Sequence, residues 1–191
     1  MGKLVVSINL TLDGVIEDPM GDGELKAGGW AAEMPDQDRT EWARHLTEEA
    51  FAASGLLFGA RTYAWFVERW TTREGGWADR LRELPKYVVS STDPATGWGP
   101  VTRIDTDAAG RVQALKDEAA GDLLVFGSGQ LLPVLFDNDL VDELRLFVFP
   151  TIAGSGRRLF DQLAAPHQLR LVSGAAVGAA LVRQVYEFDR D

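Results

Sequence analysis

The sequence predicts an α/β fold: a mostly parallel mixed sheet flanked by helices and closed by a C-terminal antiparallel hairpin. Three observations carry this. Short apolar or β-rich runs at residues 4–12, 56–58, 87–91, 101–105 and 123–126 are separated by turn signals and helical patterns, and such alternation implies right-handed βαβ crossovers. Residues 143–149 alternate apolar with polar side chains, as a half-buried strand does. Residues 168–172 and 181–188 alternate in the same way across the small-residue segment 173–180, which reads as a terminal hairpin. With 191 residues and no visible linker, one domain over residues 1–191 is expected.

Taken in order, the first strand ends at Asp13-Gly14, a turn signal, and residues 17–29 form a long loop dense in Gly, Asp and Pro. Loops of this length are commonly lids or binding loops. Asp38 and Glu41 form a capping pair for a helix whose apolar face is Trp42, Leu46, Ala50 and Ala53, with Gly55 as its stop. Residues 56–58 are a buried strand, and Gly59 opens the turn into a helix over 61–70 that presents Trp65, Phe66 and Trp70. Gly75-Gly76 breaks it, and a short amphipathic piece over 78–84 ends at Pro85. The strand at 87–91 ends in Ser90-Ser91-Thr92. A loop over 93–100, the strand at 101–105 and a helix capped by Thr106 or Asp107 follow, the helix carrying Val112, Leu115 and Ala119 on one face. Gly110 weakens its first turn and Gly121 stops it. The run at 123–126 then feeds Gly127-Ser128-Gly129 and a short helical segment over 130–136.

Composition narrows the chemistry. The balance of 19 basic and 29 acidic residues gives a net charge of −10, without the basic footprint of nucleic-acid or anionic-membrane partners. An anionic ligand must then be held by a local basic cluster or by backbone amides. The absence of cysteine excludes disulfides, Cys-ligated metals and thiol nucleophiles, and two histidines leave little for a metal site, so none is expected. No apolar run is long enough for a transmembrane helix, and the first twelve residues read as a strand and not as a signal peptide, so a cytoplasmic location is expected.

Three strand ends carry phosphate-compatible residues: Gly59-Ala60-Arg61-Thr62, Ser90-Ser91, and Gly127-Ser128-Gly129. In an open α/β sheet ligands sit outside the carboxyl ends of the strands, so three such ends favour one extended ligand, and a dinucleotide fits. Leu132 stands where a Rossmann fingerprint needs its third glycine, so that motif is absent. Ser128 also lacks the G-x-S-x-G spacing of a hydrolase nucleophile, which leaves a Ser128–His167 hydrolase a minor reading. Asp142-Glu143 resembles a carboxylate pair but directly precedes a strand, where turn and surface charge explain it better. His45 shares its helix with Glu48-Glu49 and reads as an exposed helix residue. Asp13 is a candidate proton donor or substrate anchor, Trp30 a candidate pocket wall, and Arg157 with Arg158, beside Gly154-Ser155-Gly156, a candidate substrate-phosphate contact.

The segment from Leu140 to Leu146 (LVDELRL), followed by Pro150 and by GSGRRLF from Gly154 to Phe160, is the most specific part of a family pattern that also includes residues 7–14, 59–63 and 125–129. It resembles the dihydrofolate reductase-like superfamily and, within it, the RibD C-terminal domain group, as a stand-alone member. The resemblance implies the dihydrofolate reductase-like three-layer fold with about eight strands and NADPH across the carboxyl edge of the sheet. It places Gly59, Arg61 and Thr62 on the cofactor phosphates and Ser90 and Ser91 near the adenosine ribose. Gly127, Ser128, Gly129 and Gln130 then approach the pyrophosphate, in a turn whose peptide is often cis, and Asp13 borders substrate and nicotinamide as the catalytic candidate. The implied activity is that of an NAD(P)H-dependent oxidoreductase, like 5-amino-6-(5-phosphoribosylamino)uracil reductase, passing a hydride to a small heterocyclic (pterin- or pyrimidine-like) or carbonyl substrate within a homodimer. The family usually has Arg directly after the glycine at position 59; Ala60 with Arg61 next leaves NADH beside NADPH. Ala43 stands near where true dihydrofolate reductases keep a carboxylate, so dihydrofolate is not the expected substrate. The deaminase domain that accompanies the riboflavin-pathway reductase, with its zinc-binding Cys and His residues, has no counterpart either. The alternative is a non-catalytic nucleotide- or pterin-binding protein on the same fold.

Overall fold

The computed structural model describes residues 2–189. In chain order the elements are β1 (Leu4–Thr11), α1 (Asp36–Ala52), β2 (Gly55–Gly59), α2 (Ala60–Trp70), α3 (Gly76–Glu83), β3 (Lys86–Val89), β4 (Val101–Ile104), α4 (Ala108–Glu118), β5 (Leu123–Phe126), α5 (Leu132–Asp137), β6 (Glu143–Phe149), β7 (Leu169–Val177) and β8 (Leu181–Phe188). The eight strands form one mixed sheet in the order β4-β3-β2-β5-β1-β6-β8-β7. Strands β4, β3, β2 and β5 run parallel, while β6, β8 and β7 are antiparallel. This is the α/β architecture the sequence predicts. The chain divides into two compact units, one of Met1–Val6 and Leu46–Asp142, the other of Ser7–His45 and Glu143–Asp191.

In the first unit, β2 and β5 are interior parallel strands, and their sequences show why. Leu56, Leu57, Phe58 and all of Leu123–Phe126 are buried, so both faces of each strand are covered and no alternation is needed. Helix α2 buries Tyr63 and Phe66 against them, and Phe58, Tyr63, Phe66 and Trp98 form one aromatic cluster with Phe58–Phe66 centroids 5.1 Å apart. Two lysines are buried within this unit. Lys86 lies 4.7 Å from the Trp98 ring centre and donates to the Arg82 and Leu84 carbonyls at 2.8 and 2.9 Å, so its ammonium satisfies the orphan carbonyls at the end of α3. Gly99, at φ +80°, lets the chain pass: a Cβ there would sit 1.9 Å from the Arg82 oxygen. Lys116 donates to the Leu140 carbonyl at 2.6 Å and pairs with Asp142 at 2.7 Å, while the same Asp142 oxygen accepts the Leu4 N–H at 2.7 Å. Asp142 is thus a structural acceptor that joins the start of β1 to α4, and not half of a catalytic carboxylate pair.

In the second unit, the terminal hairpin is longer than its alternation suggested. Strand β7 continues through the small residues to Val177, with a register shift between Leu171 and Ser173, and the turn is confined to residues 178–180. Asp38 explains the turn's position. Expected as a helix cap, it is instead the third residue of α1, buried, with its carboxylate accepting the Ala179 N–H at 2.6 Å. The long loop before α1 is held by its own contacts. The Asp18 carbonyl accepts the Gly21 and Gly29 N–H groups, and its carboxylate accepts that of Gly23 at 2.9 Å.

Candidate functional site

The residues expected to meet cofactor phosphates converge within the first unit. Strand β2 ends at Gly59, which serves as the N-cap of α2 with φ −81° and ψ 156°. No side chain caps this helix and no acidic residue occupies its first turn, so its leading N–H groups and the positive end of its dipole are left to a ligand. The turn after β5 is tied to the same point. The Ser128 hydroxyl accepts the Gly59 N–H at 3.0 Å and donates to the Phe126 carbonyl at 3.0 Å, while the Ser128 N–H donates to the Thr62 hydroxyl at 2.9 Å. Ser128 is buried and its hydroxyl is committed on both sides, which excludes it as a nucleophile.

Gly127 and Ser128 both adopt left-handed backbone, at φ +56° and +60°, and no peptide among the described residues is cis. A Cβ on Gly127 would approach the Thr62 methyl to 3.1 Å, so glycine keeps this turn close to α2. Gly59 differs: its φ is ordinary, and a Cβ would meet Leu131 and Ser128 only at 3.8 Å. Neither strain nor packing within the protein requires glycine there, whereas a bound phosphate approaching the backbone would. Arg61 and Gln130 are exposed, and Arg61 has no hydrogen-bond or ion-pair partner among the described residues. An uncapped helix start, a free guanidinium and a rigid glycine turn suit a pyrophosphate, so these residues fit a dinucleotide cofactor.

At the end of β3 the outcome is different for each serine. Ser90 is buried, and its hydroxyl donates to the Thr92 carbonyl at 2.7 Å and accepts the Thr92 N–H at 3.1 Å. That hydroxyl, expected near the ribose, is therefore folded into its own turn, and Ser91 is the exposed one. Sequence reasoning missed Arg103 beside it, which pairs with Asp93 at 3.2 Å and with Asp105 at 2.9 Å. The i, i+2 spacing of Arg103 and Asp105 was the available signal.

The other three candidates lie in the second unit. The Asp13 carboxylate accepts the Thr11 hydroxyl at 2.6 Å and the Ala153 and Gly154 N–H groups at 3.0 and 2.9 Å. Arg158 adds its Nε to the Asp13 carbonyl at 3.0 Å and a charge 3.6 Å from the carboxylate. The Thr11 hydroxyl first, then the two amides, hold this carboxyl well below the usual carboxylate range. Asp13, the candidate proton donor or substrate anchor, is in this setting an ionised staple between the loops after β1 and β6. Those loops are zipped further by Leu12 N–H to Thr151, Ile16 N–H to Arg157 and Leu159 N–H to Gly14. Trp30, expected as a pocket wall, is buried edge-on to Phe149 at 5.1 Å with its indole N–H on the Glu17 carbonyl at 3.1 Å. Arg157 is anchored through its backbone N–H to the Glu17 carboxylate at 2.8 Å, and its buried Nε has no acceptor.

The family pattern that runs through both clusters has a direct counterpart among known proteins. The model of the RibD C-terminal domain family matches residues 2–182. The chain belongs to that family. Among its relatives, the uncharacterized protein YyaP of Bacillus subtilis (strain 168) is 23% identical over 194 residues, spanning 98% of this chain and 95% of YyaP. A Shewanella sp. PV-4 protein provisionally assigned to riboflavin biosynthesis shares the fold with a TM-score of 0.75 and 22% identity over 100% of both chains. A pyrimidine reductase-like protein of Corynebacterium diphtheriae does so with a TM-score of 0.67 and 14% identity, over 100% of this chain and 93% of its own. Membership of the RibD C-terminal family thus rests on nearly the whole length, both units included. Among the described residues no group of three His, Cys, Asp or Glu side chains is placed to hold a metal, and no helix is long and apolar enough to cross a membrane.

Proposed function

We propose that this RibD C-terminal domain protein is a nicotinamide-dependent reductase acting on a small heterocyclic, pyrimidine- or pterin-like, or carbonyl substrate. The observation that carries the proposal is the uncapped first turn of α2, with no acidic residue and an unpartnered Arg61, tied through Ser128 to the Gly127 turn. Gly59, Arg61 and Thr62 would hold one side of the pyrophosphate, and Gly127 to Gln130 the other. When bound, NADPH or NADH supplies the hydride, and the protein's share is to bind, orient and keep water away. Arg157, with its buried and unanswered Nε, is retained as a substrate contact. A proton, where the substrate needs one, comes from a group other than Asp13. We assign the working form as a homodimer, supported by the nine-residue strand β7, which leaves Leu171 and Val172 exposed.

Titration with micromolar NADPH and NADH, followed by tryptophan fluorescence and melting temperature, tests the cofactor site. Arg61→Ala is expected to weaken binding roughly tenfold with an unchanged melting temperature, because Arg61 supports nothing else. No response to either cofactor would sink the proposal. The ionised, acceptor-saturated Asp13 favours one second reading, a non-catalytic nucleotide- or pterin-binding protein. Cofactor binding without its oxidation across pterins, flavins, pyrimidines and quinones would select it.

A further inference from the structure

Strand β1 carries a polar stripe between apolar residues. Successive side chains of a strand point to opposite faces, so Ser7, Asn9 and Thr11 share one face while Val6, Ile8 and Leu10 share the other. Two of the three polar residues are closed. The Thr11 hydroxyl donates to Asp13 at 2.6 Å and accepts the Val15 N–H at 2.9 Å, and the Ser7 hydroxyl is sealed from solvent. Asn9 differs from both, as the one residue of β1 that is not buried. Its Oδ1 accepts the indole N–H of Trp42, on α1, at 3.0 Å. An indole N–H only donates, so this bond sets which way the amide faces and engages its oxygen. Nδ2 is left with two N–H groups and no acceptor among the described residues.

We propose that Asn9 is a specificity-determining residue for the substrate, held by Trp42 as its positioning residue, and that it takes the acceptor edge of a heterocyclic lactam: a carbonyl oxygen with a ring nitrogen beside it, as on one side of a pterin. The proposal rests on the reductase reading above for the ligand being the substrate, and narrows that reading from a heterocycle or a simple carbonyl to a heterocycle. Asparagine is a poor strand former, and an amide on an interior strand costs stability unless its groups are answered. Trp42 answers half of it. The free half presents hydrogens alone, in one plane, so it matches two acceptors side by side and opposes a ligand that offers a hydrogen there. A ketone or aldehyde offers one acceptor and leaves the second hydrogen unanswered. The amide is neutral, so it selects by hydrogen-bond sense and not by charge. A β-branched side chain suits a strand better, so the strand itself does not ask for asparagine at this position.

Calorimetric titration of the intact chain with pterin and with 2,4-diaminopteridine, near neutral pH where both are mainly uncharged, tests the proposal. Beside the same ring nitrogen, the first carries an acceptor oxygen and the second a donor amine. The parent is expected to bind pterin about tenfold tighter. Asn9→Asp keeps an acceptor for the Trp42 indole but replaces both hydrogens with lone pairs, so pterin should weaken about tenfold and the preference should pass to 2,4-diaminopteridine. Trp42→Phe leaves Asn9 in place but frees its amide to turn, and the preference for pterin should narrow to about threefold. A merely structural Trp42 would lower the melting temperature and leave the preference unchanged. Melting temperatures taken beside each titration identify a misfolded variant, and where Asn9→Asp does not fold, Trp42→Phe decides. No pterin binding by the parent, equal affinity for the two pteridines, or a preference that survives the substitutions overturns the proposal. Binding of NADPH or NADH without pterin removes this inference and leaves the cofactor site standing. Binding of pterin by a chain that takes neither cofactor removes the reductase reading and keeps Asn9 as the recognition residue.

Discussion

Ser128 offers the sharpest perturbation of the candidate site, because one buried hydroxyl answers two backbone groups. Ser128→Ala removes the acceptor of the Gly59 N–H and the donor to the Phe126 carbonyl, both at 3.0 Å, and keeps a Cβ at φ +60°. Each lost bond of this kind costs about 1–2 kcal/mol when a buried partner is left unanswered, for a total of about 2–4 kcal/mol. At roughly 3 °C per kcal/mol for a chain of this size, the melting temperature should fall by about 6–12 °C. Ser128→Gly loses the same two bonds but relieves the left-handed backbone, so it should melt about 3 °C above Ser128→Ala. Differential scanning fluorimetry of the two variants beside the parent reads both effects. An alanine variant that melts with the parent would mean the hydroxyl is not the hub of this turn. A glycine variant less stable than the alanine one would mean the positive φ is not held in solution.

Three further outcomes follow from buried and tethered charges. Asp142→Ala leaves the buried Lys116 ammonium and the Leu4 N–H without their shared acceptor, so chemical denaturation should show a loss of about 3–5 kcal/mol, and a loss below about 1 kcal/mol would contradict the clamp. Asp13 has a folded pKa below its unfolded one, so its contribution is complete above about pH 4 and is lost as pH falls through the depressed value; Asp13→Asn should therefore lower stability at neutral pH and flatten the acid limb of the melting curve, and a parallel limb would refute the staple. Desolvation first, with Arg82 second, lowers Lys86 to about 8; since the unfolded chain then binds more protons between that value and the ordinary lysine range, the parent should gain stability between about pH 8 and 10 relative to Lys86→Met, and equal melting shifts in both proteins would count against it.

What the sequence made legible was local and periodic. The bounds of β5, β6 and β8 follow from apolar runs and alternation, and Leu132 alone sufficed to remove a Rossmann turn. The family pattern reached the right fold because it covers both ends of the chain. Three of the misreadings share one cause: a polar side chain answered a distant partner. Asp38 has the spacing of a capping residue, yet its carboxylate is claimed by Ala179, 141 residues away. Asp142 looks like turn charge until Lys116 and Leu4 meet it, and Asp13 has the place of a proton donor, yet Thr11, Ala153 and Gly154 hold it ionised. Ser90 is the opposite case, since its bonds to Thr92 are local and the Ser-x-Thr spacing already advertised the turn. Arg103 carries only a short-range signal, Asp105 two residues on, because its other partner, Asp93, comes from the loop after β3.

The central claim is that a nicotinamide cofactor lies with its pyrophosphate between the first turn of α2 and the Gly127 turn. A crystal structure of the protein soaked with NADH tests this most directly. The expected result is diphosphate density within hydrogen-bond distance of the α2 leading amides, with the Arg61 guanidinium turned onto it. Density for the cofactor at any other place, or none at a concentration that saturates binding in solution, would contradict it.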